Sequence, residues 1–226
     1  MQEFWNNYHT LVFLLLGATA TSFVWLFVFN RKRLNASWWE LLIVAILHTL
    51  VGVGFVKFFA LLEAGFNTEK AGNLSMYGGV FFMPLFYFIY AKIKKLPIAL
   101  VFDVFVVSLV STLFFARINC FLSGCCLGKS INYSEYRYPT REAELVFDVI
   151  FIGLAIFFLF KGKLLGKIYP IYLISYGVFR FIIEWFRESD VTSGFHIAHV
   201  WSFLAVLIGS ALLIIQYYLK KSKENK

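Results

Sequence analysis

Long apolar runs, broken only by short charged clusters, decide most of what this chain can become. Seven can be marked, at about 10–29, 39–62, 76–91, 97–115, 145–160, 168–185 and 197–218. Each approaches the roughly 20 residues that an α-helix needs to cross a hydrocarbon layer of about 30 Å. In lipid the backbone must satisfy its own hydrogen bonds, so such runs are expected to be helical. With 60% of residues hydrophobic and only 15% charged, too little polar surface remains to cover a soluble globule. The reading is an all-α membrane protein of seven transmembrane helices, forming a single polytopic domain over residues 1–226. Twenty-eight Phe, twelve Tyr and six Trp suit lipid-facing surfaces and interfacial belts. The first run is preceded by Glu3 and by no Lys or Arg. A cleaved signal peptide has a basic start, so this run is expected to stay as the first span.

The net charge of +8 is carried largely by clusters between the runs. Arg31-Lys32-Arg33 follows the first, Lys92, Lys94 and Lys95 the third, Lys161, Lys163 and Lys167 the fifth, and Lys220, Lys221, Lys223 and Lys226 the seventh. The opposite connections hold Glu3, then Glu63 and Glu69 with Lys70, then two mixed-charge loops. Basic loops stay in the cytoplasm, so the N-terminus is expected outside and the C-terminus inside. Residues 116–144 and 186–196 then lie outside or at the outer leaflet. No soluble basic domain remains to bind nucleic acid, which excludes it as a partner.

Charged or titratable side chains inside spans are costly and mark polar interiors or pathways. They are His48, Lys57, Asp103, Arg117, Asp148, Arg180 and Glu184. Arg180 and Glu184, four apart, share one helical face, and Arg187 follows one turn later. Two readings stand: an ion pair locking helices together, or an electropositive pocket near the outer leaflet that holds phosphate through planar guanidinium forks. Asp103 and Asp148 read equally as helix anchors or as parts of a site. His48, toward the middle of its span, reads as a packing residue.

Residues 116–129 spell ARINCFLSGCCLGK. This stretch is too polar and too broken by Gly124 and Gly128 to cross a bilayer. A re-entrant or cavity-lining loop at about 116–130 is expected, the setting where irregular backbone is tolerated at depth. All three cysteines lie here: Cys120, Cys125 and Cys126. A disulfide, a reactive thiol favoured by Arg117 and Lys129 and plain packing remain open. A metal set has the least support, since no His follows at ligand spacing. No metal and no cofactor is assigned.

At this loop the sequence resembles the bacterial prolipoprotein diacylglyceryl transferases. That family carries G-R-I-G-N-F-x-N-G-E-x-x-G-R after its fourth span. This chain matches it at Arg117, Ile118, Phe121, Gly124 and Gly128, with Lys129 for the last Arg. The family's R-H-P-S-Q-L-Y-E corresponds to Arg141–Asp148, which keeps the Arg and an aromatic-acid end. Its Y-G-x-x-R-F-x-x-E-x-x-R-x-x-D is kept at Tyr176, Gly177, Arg180, Phe181, Glu184, Arg187 and Asp190, the most specific match. S-F-H-G-G corresponds to Ser75, Met76, Tyr77, Gly78 and Gly79. M-G-Q-x-x-S falls on Ile197–Ser202, with His199 in the Gln position. This chain departs at Tyr77 for the family's His, at Cys120 for Asn and at Cys125 for Glu. The Arg usual in the second span falls near Gly52, with Lys57 as a substitute.

The resemblance implies a seven-span enzyme of the bacterial cytoplasmic (inner) membrane. It would move diacylglycerol from phosphatidylglycerol to the lipobox cysteine of a prolipoprotein, so its partners are membrane lipid and a lipobox signal peptide. Arg117 and Arg180 would hold the lipid phosphate, with Glu184 and Arg187 orienting them. Tyr77, a poor base with a reference pKa of about 10, could hydrogen-bond the head group, and His199, at the outer start of the seventh span, is a candidate for the base that Tyr77 does not supply. Tyr176, Arg141, Gly78, Gly79, Gly124, Gly128, Cys120 and Cys125 would shape the substrate site. Two alternatives are a related phospholipid-handling enzyme with another acceptor and a cysteine intermediate, and a non-enzymatic lipid-binding protein.

Overall fold

The structure, a computed structural model, describes residues 2–68, 75–131, 135–188 and 195–224. Among these the chain is helical, with two isolated antiparallel bridges, Gly128 with Arg187 and Ser130 with Arg137. Helix α1 (Gln2–Val24) passes through a π-helical turn (Trp25–Phe29) into α2 (Asn30–Leu34), making one continuous rod. Then come α3 (Trp38–Glu63), α4 (Tyr77–Lys94), α5 (Ile98–Leu122), α6 (Thr140–Phe160), α7 (Ile168–Glu184) and α8 (Ile197–Glu224). Five stretches are long and apolar enough to cross a membrane: Thr10–Leu34, Trp38–Glu63, Ile98–Leu122, Thr140–Phe160 and Ile197–Leu219. Helix α7, at 17 residues, is about 26 Å long at about 1.5 Å per residue, and carries Arg180 and Glu184.

Helix α5 is the centre of the bundle. Every residue from Asp103 to Val110 is buried, so this helix is covered all round. It packs against α1, α4, α6 and α7, while α3 closes on α1 and α4. Helices α7 and α8 form the most extensive pair. Their backbones approach at Gly177, where a Cβ would stand 2.6 Å from the Ser202 carbonyl oxygen, and at Gly209, where it would meet Pro170 O at 2.8 Å. Small residues at such crossings let membrane helices pack closely.

Polar groups fix the ends. Ser37 and Glu40 form a capping box at the start of α3, and Lys94 at the end of α4 reaches Glu40 at 3.1 Å. Asp103 accepts from the backbone N–H of Tyr169 at 3.1 Å and from that of Gly166. A carboxylate of α5 therefore receives otherwise unpaired donors at the start of α7. Asp103 is thus a helix anchor. His48 is also structural: its Nε2 lies 3.1 Å from the Tyr87 hydroxyl, and its ring stacks on Tyr87. Lys57 is exposed on α3.

Two sequence boundaries beside the site need correction. Helix α5 does not stop near residue 115 but continues to Leu122, so Arg117 and Cys120 are helical rather than part of a loop. Helix α6 starts at Thr140, five residues earlier than the apolar run. Both extensions are polar on one face, the face that builds the site.

Candidate functional site

Five charged side chains on three helices point at one another beside the ends of α5 and α7. Arg117 lies in the last two turns of α5. Glu144 and Asp148 are one turn apart on α6, and Arg180 and Glu184 one turn apart on α7. Glu144 is the hub. One of its oxygens pairs with Arg117 Nη1, and the other is 2.5 Å from Arg180 Nη1. Arg117 Nε also donates to Asp148 Oδ2 at 2.7 Å, and Arg180 Nη2 pairs with Glu184 Oε2 at 2.9 Å. Arg187, just past α7, stands 3.9 Å from both Glu144 and Glu184. His196 Nδ1 is 3.6 Å from Glu184.

Arg117, Glu144, Asp148, Arg180 and Glu184 are all buried. Buried ions persist only when paired and hydrogen-bonded, and here three guanidiniums face three carboxylates. Of the two readings, the helix-locking ion pairs are present, and each guanidinium of the cluster has a carboxylate beside it. What remains is directional donor capacity. Arg117 Nη2 is buried with no hydrogen-bond partner among the described residues. Arg187 is the most solvent-accessible of the three arginines, at 18% side-chain exposure.

The cluster forms one wall of a cavity of about 220 Å³. Arg117 and Cys120 come from α5, Cys126 from the following loop, Glu144 from α6, and Arg180 and Arg187 from α7 and its end. Glu63, Ser75, Met76, Tyr77, Ile197 and Ala198 complete the lining. The loop is pinned to the end of α7. Lys129 N donates to Phe186 O at 2.8 Å and Glu188 N to Leu127 O at 2.9 Å, while Arg137 meets Glu188 at 2.5 Å. Gly128 is required at this crossing, since a Cβ would overlap the Tyr138 carbonyl.

The three thiols are free. Positive φ at Gly124 (70°) and Cys126 (59°) folds the loop back, and Cys125 N donates to Cys120 O at 3.1 Å. The three sulfurs consequently lie within 4.8 Å of one another. A hydrogen bond from Cys120 lowers the Cys126 thiol below the ordinary cysteine range, and the charge of Arg187 adds to this against the upward push of burial.

The expected residues divide. Arg117, Arg180, Arg187, Tyr77 and Cys120 line the cavity, while Glu184 and Tyr176 do not line it but contact the lining residues Arg180 and Tyr77. The Tyr77 hydroxyl is 2.7 Å from Ser202 Oγ and donates to Ala198 O at 2.8 Å, tying α4 to α8. Tyr176 packs edge-on against Tyr77 at 6.0 Å. His199 does not line the cavity. Its Nδ1 accepts from His196 N at 3.0 Å, and its ring packs among Phe181, Trp185 and Phe195. Arg141 stacks over Phe121 at 5.0 Å and donates to its carbonyl, away from the cavity. Gly78 and Gly79 are packing positions, Gly78 pressed on the backbone at Phe55. Gly124 has open space around it. Asp190 lies outside the described residues. Sequence reasoning missed Glu63 and Glu144 as site residues. The signal for Glu144 was an acid four before Asp148 and therefore on the same helical face.

Comparison with known proteins gives one answer. The family model described as prolipoprotein diacylglyceryl transferase matches residues 11–215. Curated relatives share the name phosphatidylglycerol–prolipoprotein diacylglyceryl transferase. One from Clostridium tetani is 27% identical over 133 residues, 53% of this chain and 53% of the relative. One from Pasteurella multocida is 27% identical over 164 residues, 65% of this chain and 60% of the relative. One from Ehrlichia canis is 27% identical over 224 residues, 87% of this chain and 82% of the relative. The first two alignments thus span little more than half of those relatives. With its long apolar helices, the chain is a multi-pass membrane protein.

Proposed function

The chain belongs to the prolipoprotein diacylglyceryl transferase family, and from that premise we propose that it transfers diacylglycerol from phosphatidylglycerol to the lipobox cysteine of a prolipoprotein. The observation that carries this reading is the convergence of Arg117, Arg180 and Arg187 on one cavity, held there by Glu144. The setting is a single seven-span domain in the bacterial cytoplasmic membrane, N-terminus outside and C-terminus inside. The site then faces the outer leaflet, where lipid and secreted precursor meet.

In this mechanism the phosphate of the lipid enters the cavity against Arg187, the most exposed of the three arginines, with Arg117 and Arg180 in the wall behind it. The substrate thiolate attacks the glyceryl carbon that bears the phosphate ester. An S–C bond forms, the C–O bond breaks, and glycerol phosphate departs with the electron pair. The arginines stabilise charge growing on the leaving phosphate, which is where preorganised donors contribute most. Glu184 and Asp148 keep Arg180 and Arg117 from swinging away. The thiol proton goes to Glu63, a carboxylate on the same cavity wall. Tyr77 acts through its bond to α8, closing the cavity floor beside Ala198.

The test is transfer by purified protein to a lipobox peptide from phosphatidylglycerol. Arg117→Lys and Arg180→Lys should each lower the rate by about 10²-fold or more, as loss of a preorganised donor does. Lys keeps the charge but not the fork, so unchanged rates would leave these residues as charge anchors only.

A further inference from the structure

The three cysteines have no part in that mechanism, yet the fold goes to some length to gather them. Cys120 is on the last turn of α5. A turn with left-handed backbone at Gly124 and at Cys126 brings the other two back onto it. A non-glycine residue at φ 59° is uncommon and is held only where the surroundings fix it. Here Thr140 Oγ1 donates to the Cys126 carbonyl at 3.3 Å, and the loop is clamped to the end of α7. The outcome is three half-buried, unbridged thiols whose sulfurs all lie within 4.8 Å. A disulfide requires two sulfurs, so a close triangle of three is more than a disulfide explains.

We propose that Cys120, Cys125 and Cys126 form a three-thiolate site for a zinc-class ion, with its fourth coordination position open to the cavity. Zn–S bonds of about 2.3 Å in tetrahedral geometry place sulfurs roughly 3.8 Å apart, so the triangle contracts by about 1 Å or less per edge. Three protein ligands with one free position is the pattern of a reactive rather than a closed zinc site. Three thiolates and a divalent ion leave one negative charge, and Arg187 on the same cavity wall complements it. Cys120 and Cys126 line the cavity, so the open position faces the space where the acceptor thiol arrives. A thiol bound to zinc is deprotonated outright. The ion therefore prepares the nucleophile, and the proton passes to Glu63. This last role rests on the transfer reading above; the metal site itself does not.

The experiment uses the full chain, purified in detergent under reducing conditions. It is stripped with chelator and titrated with Zn²⁺ or with Co²⁺ as a spectroscopic probe. One ion per chain is expected, with thiolate-to-cobalt charge-transfer bands and the visible bands of four-coordinate cobalt. Cys125→Ser, a change at a half-exposed loop position, should weaken binding by more than the roughly 10–100-fold that losing a supporting group costs. Cys120→Ser and Cys126→Ser should do the same. Adding a lipobox peptide should shift the cobalt bands, whereas its Cys→Ser version should not. If the bands form but the peptide leaves them unmoved, the open position does not take the acceptor. If no diacylglyceryl peptide appears while the bands persist, the transfer reading fails and the metal site stands. No bound ion, equal alkylation of all three thiols with and without Zn²⁺, or a disulfide joining two of them in protein taken directly from membranes overturns the proposal.

Discussion

Glu144 is the residue on which the site turns. It is buried, and three guanidiniums depend on it. Removing one partner of a buried ion cluster leaves uncompensated charge, which costs about 3–5 kcal/mol. Glu144→Gln should therefore lower the unfolding midpoint in detergent markedly and abolish transfer. A midpoint equal to that of the unaltered protein would mean that the arginines do not rely on it. Tyr77 makes the opposite prediction. Its hydroxyl serves Ala198 and Ser202, so Tyr77→Phe should cost about 1 kcal/mol of stability and leave transfer within a few-fold. A loss of two or more orders of magnitude would put the phenol in the chemistry. His199→Gln should also leave transfer largely intact, because the ring sits in an aromatic cage rather than at the cavity.

At the scale of elements, the sequence reading succeeded where helical period and charge point the same way, and failed where they diverge. The face shared by Arg180, Glu184 and Arg187 was legible from spacing alone. The start of α6 was not, because Thr140–Glu144 is polar and hydropathy places the boundary at the apolar run. That same error hid Glu144. The end of α5 was misplaced for a parallel reason: Arg117, Asn119 and Cys120 look like loop residues until a cavity appears for them to face. The direction in which His199 points depends on how α7 and α8 pack, which no single-chain pattern reveals. That packing is itself testable. A side chain at Gly177 must displace the backbone of α8 at Ser202, and overpacking of this kind costs about 1–3 kcal/mol. Gly177→Val should destabilise the protein in detergent. Gly124→Ala, at positive φ but in open space, should cost only about 1 kcal/mol from backbone strain.

At the scale of the whole molecule, the charge clusters and the site agree on a direction. Arg31–Arg33, Lys92–Lys95 and Lys161–Lys167 lie at one end of the helix bundle, and the cavity lies between the opposite ends of α5, α6 and α7. Reporter fusions after Lys95 and Lys163 should be cytoplasmic, and those after Ser130 should be exported. The reverse pattern would turn the cavity toward the cytoplasm, away from secreted precursors. The central claim is narrower: this arginine cavity transfers diacylglycerol. Mass spectrometry of a lipobox peptide incubated with the purified protein and phosphatidylglycerol tests it most directly. The account predicts a diacylglyceryl thioether on the peptide cysteine with release of glycerol phosphate, both strongly reduced in Arg180→Lys. An unmodified peptide in the presence of folded, lipid-loaded protein, or equal modification by Arg180→Lys, would contradict it.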